Sequence, residues 1–253
     1  MPIKPTDYLG SLAKGLAVLE AFGERHPRLS VSEAAVETGL DRAAARRCLL
    51  TLTELGYTSY DGKFFTPTPK VLRLGNGALS AFPLTQVVQP WLDQMSERLQ
   101  QSVSVSVLDD LEIIYIARAA QRRVMTIGLM PGSRLPAHCT SMGRVLLAQL
   151  PEDQARDVVA RSDLSPRTPN SRTTPDDVMA AIAAARSNGY ALVDQEIELG
   201  LRSIAVPLIS ATGRVVAAVN VGVAAAQMPT ADLSTRCLPE LLKAQDGLRN
   251  MLR

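Results

Sequence analysis

Residues 28–66 read RLSVSEAAVETGLDRAAARRCLLTLTELGYTSYDGKFFT, and their spacing is that of a winged helix-turn-helix. Such a motif needs a small residue where two helices cross, a residue able to turn left-handed between them, and apolar residues at helical intervals afterwards. Ala35, Gly39 and Leu40 meet the first demands, and Ala45, Cys48, Leu49, Leu52 and Leu55 continue as a buried helical stripe. Asp41 is placed to cap the second helix by accepting a backbone N–H bond. Arg42, Ala43, Arg46 and Arg47 then lie near the end that enters a major groove, where arginines reach phosphates or guanine edges. Gly56 stops the helix. The β-prone runs 57–60 and 63–66 flank Asp61-Gly62, a hairpin turn pair, so Lys63 sits on a wing beside the same DNA. A plain helical hairpin with a solvated basic face explains the arginines, yet not the turn glycine, capped helix and hairpin arriving in order. Double-stranded DNA is the partner these residues predict.

Outward from the motif, residues 11–24 form an amphipathic helix with Leu12, Leu16, Leu19 and Phe22 at spacings of three and four. Pro67 and Pro69 open a new segment, 70–82, whose Val71, Leu72, Leu74, Leu79 and Phe82 predict a linker helix that pairs with a second chain. The GNGALS stretch at 75–80 has the look of a dinucleotide loop but lacks the final glycine and a leading strand. A helix follows at 84–101, then strands at 103–108 and 112–119 across an Asp109-Asp110 turn, with a third strand at 124–129. The loop MPGSRLPAHC leads to helices at 140–149, 152–161 and 175–188, the last ended by Gly189. Strands at 190–193, 203–209 and 215–223, the latter two joined by a turn at 211–213, and a helix at 231–252 close the chain. This order predicts an α+β second domain with a sheet covered by helices. The expected division is a winged helix-turn-helix at 1–68, a linker helix at 69–83 and a sensor domain at 84–253.

At 253 residues the chain is long enough for two cores, and 46% hydrophobic with 21% charged residues is the balance of a soluble globular protein. No run of about 18 apolar residues is present, and the N-terminus MPIKPTDYLG lacks the order of a secretory signal, so a cytoplasmic location and no membrane partner are expected. Net charge is only +2, and residues 1–80 hold ten Lys/Arg against eight Asp/Glu. Where the arginines sit matters more than the total. Cys48, Cys139 and Cys237 are far apart and odd in number, which gives neither a disulfide framework nor a CxxC metal site; no metal and no cofactor is expected. Cys48 lies on the buried stripe.

Four stretches carry a family resemblance. SLAKGLAVLEAF (11–22) and LSVSEAAVETGLDRAAARRCLLTLTELGY (29–57) resemble the DNA-binding half of IclR-type transcriptional regulators. LPAHCTSMGRVLLA (135–148) and GYALVDQEIELGLRSIAVPL (189–208) resemble that family's effector-domain signature. SLAKGLAVLEAF and IYIARAA (114–120) look most like the branch controlling catabolism of protocatechuate, 4-hydroxybenzoate and β-ketoadipate. The resemblance implies a GAF-like effector domain, homodimers joined through the DNA-binding and linker regions, and often tetramers. It implies a ligand-responsive regulator of an aromatic-acid catabolic operon, without saying whether it activates or represses.

The family's ligand-contacting places fall on Ser141, Met142, Leu201, Ser203, Asn220 and Gly222. In that arrangement Ser141 and the free N–H groups of a helix N-terminus hold a carboxylate, Ser203 and Asn220 add hydrogen bonds, and Met142 and Leu201 form walls. The resemblance thus implies a small carboxylic-acid effector such as 4-hydroxybenzoate, protocatechuate or a β-ketoadipate-like acid. Val193 stands where small-acid regulators have an aspartate, which favours a more apolar or aromatic ligand. Arg134 is placed either to pair with the carboxylate or to hold its loop and make a surface ion pair. His138 either fixes that loop or touches ligand or metal.

The alternative is an enzyme on a GAF-like domain with Cys139 or Ser203 as nucleophile. The chain has no GxSxG elbow, HExxH or Walker loop, and two histidines leave little general-base chemistry. Asp194, Glu196 and Glu198 read as a polar loop. A sensor that binds only proteins leaves the recognition-helix arginines without a purpose. The expectation is therefore a regulator and not an enzyme.

Overall fold

The computed structural model describes residues 4–23, 26–75, 83–121 and 128–252, in two units that divide between residues 81 and 82. The first unit contains α1 (Gly10–Glu20), α2 (Val31–Thr38), α3 (Arg42–Glu54) and the hairpin β1 (Thr58–Tyr60) to β2 (Phe65–Pro67). A capping box starts α2: the Ser30 N–H donates to Glu33 Oε2 at 2.7 Å, and the Glu33 N–H donates to Ser30 Oγ at 3.3 Å. Gly39 follows α2 with φ 65°, the left-handed turn the motif requires. Asp41 then accepts the Ala44 N–H at 2.8 Å and caps α3.

Val18, Leu29, Leu49 and Phe65 are fully enclosed in this unit's core, each burial contributing roughly 1.5–3 kcal/mol. Leu29 and Phe65 also exchange two backbone hydrogen bonds, which clamp the wing to the start of the motif. Three details differ from expectation. Val18 and Leu19 of α1, with Phe22 just beyond it, face the core, whereas Leu12 and Leu16 are exposed. In α3 Ala44 joins the buried stripe, and Leu55, at the helix end, is exposed. The wing loop spans 61–64 rather than two residues, because the Asp61 carboxylate accepts the N–H groups of Lys63 and Phe64 and holds a wider turn.

After the wing, a 3-10 turn, Pro69–Val71, runs into helical residues 72–75; the rest of the predicted linker, 76–82, lies outside the described residues. So do 124–127 of the strand predicted at 124–129, and residues 128–130 are not strand.

In the second unit α4 (Pro83–Leu99) precedes β3 (Ser102–Asp109), β4 (Glu112–Ala119) and β5 (Arg134–Pro136). Then come α5 (Ser141–Leu147), α6 (Glu152–Arg161), α7 (Pro175–Asn188), β6 (Ala191–Asp194), β7 (Leu201–Ile209) and β8 (Val215–Ala224). The predicted closing helix is two helices, α8 (Thr230–Asp232) and α9 (Leu238–Leu248), joined by a π-helical turn at Leu233–Cys237. β5 was expected as loop, and the β3–β4 turn falls on Asp110 and Leu111, since Asp109 still pairs with Glu112.

The six strands form one antiparallel sheet in the order β5-β4-β3-β8-β7-β6. Its two faces follow from period-two alternation. In β3 the SVSVSV run sends Val103 and Val105 into a core with α4 and α9, and Ser102, Ser104 and Ser106 to the opposite face. On that opposite face Ala205 and Ala218 pack against Met142, Val145 and Leu146 of α5 and Ile182 of α7.

Two glycines on the α5 side respond differently to a methyl group. A Cβ on Gly143 would lie 2.1 Å from the Ala137 carbonyl oxygen, whereas one on Gly222 meets nothing within 4 Å. Gly143→Ala is expected to cost about 1–3 kcal/mol by overpacking. Gly222→Ala should stay within about 0.5 kcal/mol of the parent. Thermal unfolding of the two variants measures the contrast, and equal melting temperatures would refute it.

Candidate nucleic-acid interface and ligand cavity

In the first unit Arg42, Ala43, Arg46 and Arg47 are all exposed on α3, and none of the three arginines has a carboxylate partner among the described residues. A capped helix end with uncommitted guanidinium groups is equipped for phosphates and base edges. Lys63 lies at the wing tip with its Nζ 5.0 Å from the Phe64 ring centre, and the Arg28 guanidinium lies 4.4 Å from the same ring. Phe64 therefore gathers two cations where the wing projects. Arg28 was missed in sequence because it precedes α2 by three residues and meets the wing only through Phe64.

In the second unit the register of the sheet builds a cavity from two transverse rows. Arg118 on β4 faces Ser104 on β3, and Ser104 faces Asn220 on β8. One step along, Ser102 faces Gly222, Gly222 faces Ser203 on β7, and Ser203 faces Val193 on β6. Ser141, at the start of α5, closes over this floor and donates to Ser203 Oγ at 2.9 Å. Tyr115, Leu129, Leu135, Cys139, Thr140, Ile197 and Leu201 complete the walls of a cavity of about 30 Å³. That is room for roughly one or two waters, so an aromatic ring enters only as the walls part.

Two polar groups there have no side-chain partner among the described residues. Asn220 and the Tyr115 hydroxyl make no side-chain hydrogen bond among the described residues, although both residues are nine-tenths buried. Burial pushes the Tyr115 phenol up to about 12, keeping it a neutral donor. The predicted residues Ser141, Leu201, Ser203, Asn220 and Gly222 all line this cavity, as does Val193.

Met142 and Arg134 do not. One residue along α5 turns Met142 about 100° away from Ser141; it is enclosed in the α5–α7 core, where its sulfur accepts the Ser106 hydroxyl at 3.2 Å. Arg134 lies on β5 at the sheet edge, where it pairs with Asp109 at 2.7 Å and Glu112 at 2.6 Å. It is the surface ion pair, and the guanidinium that reaches the cavity is Arg118. The helix N-terminus is also less open than the resemblance implied, because Thr140 Oγ1 accepts the Gly143 N–H.

Tyr115 and Arg118 went unread although both lie in IYIARAA. Their separation of three residues puts them on opposite faces of a regular strand. A bulge in the β3–β4 pairing, where Val105 faces Ala117 but Ser106 faces Tyr115, inserts Ile116 and brings both to the same face.

The β6–β7 loop, which carries Ile197 to the cavity, is fastened from behind. Arg144 of α5 and Glu196 are both buried and form a bidentate pair, Nη1 to Oε1 at 2.7 Å, while Arg144 Nε donates to the His138 carbonyl at 2.9 Å. Thr168 and Ser171 hydroxyls donate to the Gln195 and Glu196 carbonyls at 2.6 and 2.8 Å. His138 thus holds its loop through the main chain. Its ring, held neutral by burial with a pKa near 4, lines a separate groove with Asp163 and Arg167. No cluster of metal-ligating side chains exists among the described residues. Burial raises the Cys139 thiol to about 11, and Ser203 has a serine rather than a base beside it, so neither is an activated nucleophile.

A DNA-reading module and a separate enclosed cavity in an α+β unit define a ligand-responsive transcription regulator. Residues 11–62 match the IclR helix-turn-helix domain and residues 76–248 match the bacterial transcriptional regulator IclR C-terminal family. The chain belongs to the IclR family, whose matched members are regulators and not enzymes. It is 43% identical over 97% of its length to the Pca regulon regulatory protein of Pseudomonas putida, spanning 85% of that protein. It is 37% identical over 99% of its length to the p-hydroxybenzoate hydroxylase transcriptional activator of Acinetobacter baylyi, spanning 94% of it. A solved inducer-binding domain, a double mutant of the Acinetobacter PobR transcription factor in complex with 3-hydroxybenzoic acid, matches at 31% identity and a TM-score of 0.63. It covers 66% of this chain and 98% of its own. No helix among the described residues is long and apolar enough to cross a membrane.

Proposed function

We propose that this regulator acts in the cytoplasm as a homodimer on operator DNA, through Arg42, Ala43, Arg46, Arg47 and Lys63, with Arg28 as a further phosphate contact. Its control is by a small aromatic carboxylic acid of the 4-hydroxybenzoate or protocatechuate kind, bound between Ser141, Leu201, Ser203, Asn220 and Gly222. The observation that carries this reading is the cavity itself: apolar walls with a few convergent, partly unpartnered polar groups form the usual make-up of a small-molecule site. The names of the relatives point to the same ligand class.

Titration calorimetry of the full chain with both acids tests it, alongside an operator gel shift with and without acid. Ser203→Ala and Asn220→Ala should each weaken acid binding about three- to tenfold, the worth of one neutral hydrogen bond, and leave ligand-free operator binding unchanged. If both variants bind like the parent, the cavity is not the effector site. If only an aliphatic acid such as β-ketoadipate binds, the aromatic assignment is wrong.

A further inference from the structure

Among the described residues, Arg118 is the one ionised side chain that lines the cavity; the others there are neutral. It is half-buried, and among the described residues no Asp or Glu pairs with it and its guanidinium makes one hydrogen bond, from Nη1 to Ser104 Oγ at 2.9 Å. Glu196, in the loop that covers the cavity, is held by Arg144, and Asp194, at the end of β6, by Arg202. Burial holds the Arg118 guanidinium below its ordinary pKa, the mark of a cation partly stripped of water without an anion in return. Such a charge is costly in a finished protein interior and favourable where an anion arrives.

At the far side of the floor the polar groups are the hydroxyls of Ser141 and Ser203. β3, where Arg118 rests on Ser104, and β7, which carries Ser203, are two strand spacings apart, about 10 Å. Between them Gly222 presents no side chain and leaves open space above the sheet. One aromatic ring with a polar group at each end matches that span in length once the walls part.

We propose that Arg118, with Ser104, anchors the effector carboxylate, that the ring lies over Gly222, and that its hydroxyl meets the Ser141–Ser203 pair. This rests on the reading of the cavity as an acid-binding site, and it reverses the polarity in which the α5 N-terminus holds the carboxylate. It also defines specificity: an anionic end at Arg118 and a neutral hydrogen-bonding end opposite, hence a hydroxylated monocarboxylate in preference to its amide.

The test is titration calorimetry of the full chain with 4-hydroxybenzoate, the uncharged 4-hydroxybenzamide, and adipate, on the parent, Arg118→Met, Arg118→Gln and Arg118→Lys. The methionine variant should bind 4-hydroxybenzoate about ten- to a hundredfold more weakly, the worth of one charge-assisted hydrogen bond, and bind the amide as the parent does. The lysine variant should keep part of the preference for the acid. Arg118→Gln, which still reaches Ser104, serves the same comparison if the methionine variant does not fold. An unchanged acid-to-amide ratio overturns the anchor, and so does equal loss of acid and amide, which marks a residue that only shapes the cavity. If the parent takes adipate but not 4-hydroxybenzoate, and Arg118→Met loses adipate, the anchor stands while the aromatic reading falls. A parent that binds none of the three overturns both.

Discussion

Arg144→Met is expected to lower the stability of the second unit by about 3–5 kcal/mol, because it leaves Glu196 buried without its bidentate partner. The neighbouring Arg172, 3.6 Å from Glu196 and half exposed, replaces little of that interaction. For a unit of this size the loss corresponds to roughly 6–20 °C in melting temperature, measured by calorimetry on the full chain. The cost arises from an unpaired charge rather than from lost packing. The double variant Arg144→Met with Glu196→Met should therefore recover most of it. A single-variant loss below about 1 kcal/mol would mean that Glu196 reaches water, and that the pair does not fasten the β6–β7 loop.

The second large effect is on DNA. Replacing Arg42, Arg46 and Arg47 together by alanine should weaken operator binding at least about a hundredfold, since each arginine at a base or phosphate is worth roughly 1–3 kcal/mol. The dependence of affinity on salt should flatten by about one unit of slope for each phosphate that is no longer neutralised. Acid binding in the second unit should not change. Unaltered operator affinity and salt slope would show that α3 is not the reader, and sedimentation of a monomer with full operator affinity would remove the homodimer from the proposal.

Much of the fold was legible locally. The bounds of α6 and α7 match the expected 152–161 and 175–188, because each has a proline at its start and a defined stop, Gly189 in the case of α7. Asp41 caps α3 as its position predicts. The signals that failed were short or distant. β5 has three residues and exists by pairing with β4, so its own sequence says little. Leu12 and Leu16 have helical spacing but sit on the exposed side of α1, since spacing gives a stripe without naming what lies opposite it.

The sequence by itself determined that a capped, arginine-bearing helix follows a left-handed glycine, and that β3 alternates serine with valine across a sheet. Both are consequences of neighbours within a few residues, where backbone geometry leaves little choice. Only the tertiary structure decided which charges do what. Arg144 and Glu196 lie 52 residues apart and meet because α5 packs beneath the β6–β7 loop. Arg134 and Arg118 are both arginines near β-strand ends, yet one is spent on edge carboxylates and the other reaches the cavity. The difference comes from strand order and from the bulge at Ile116, which shifts every later side chain of β4 to the other face. Register between strands is set by the whole sheet, so it cannot be read from either strand alone.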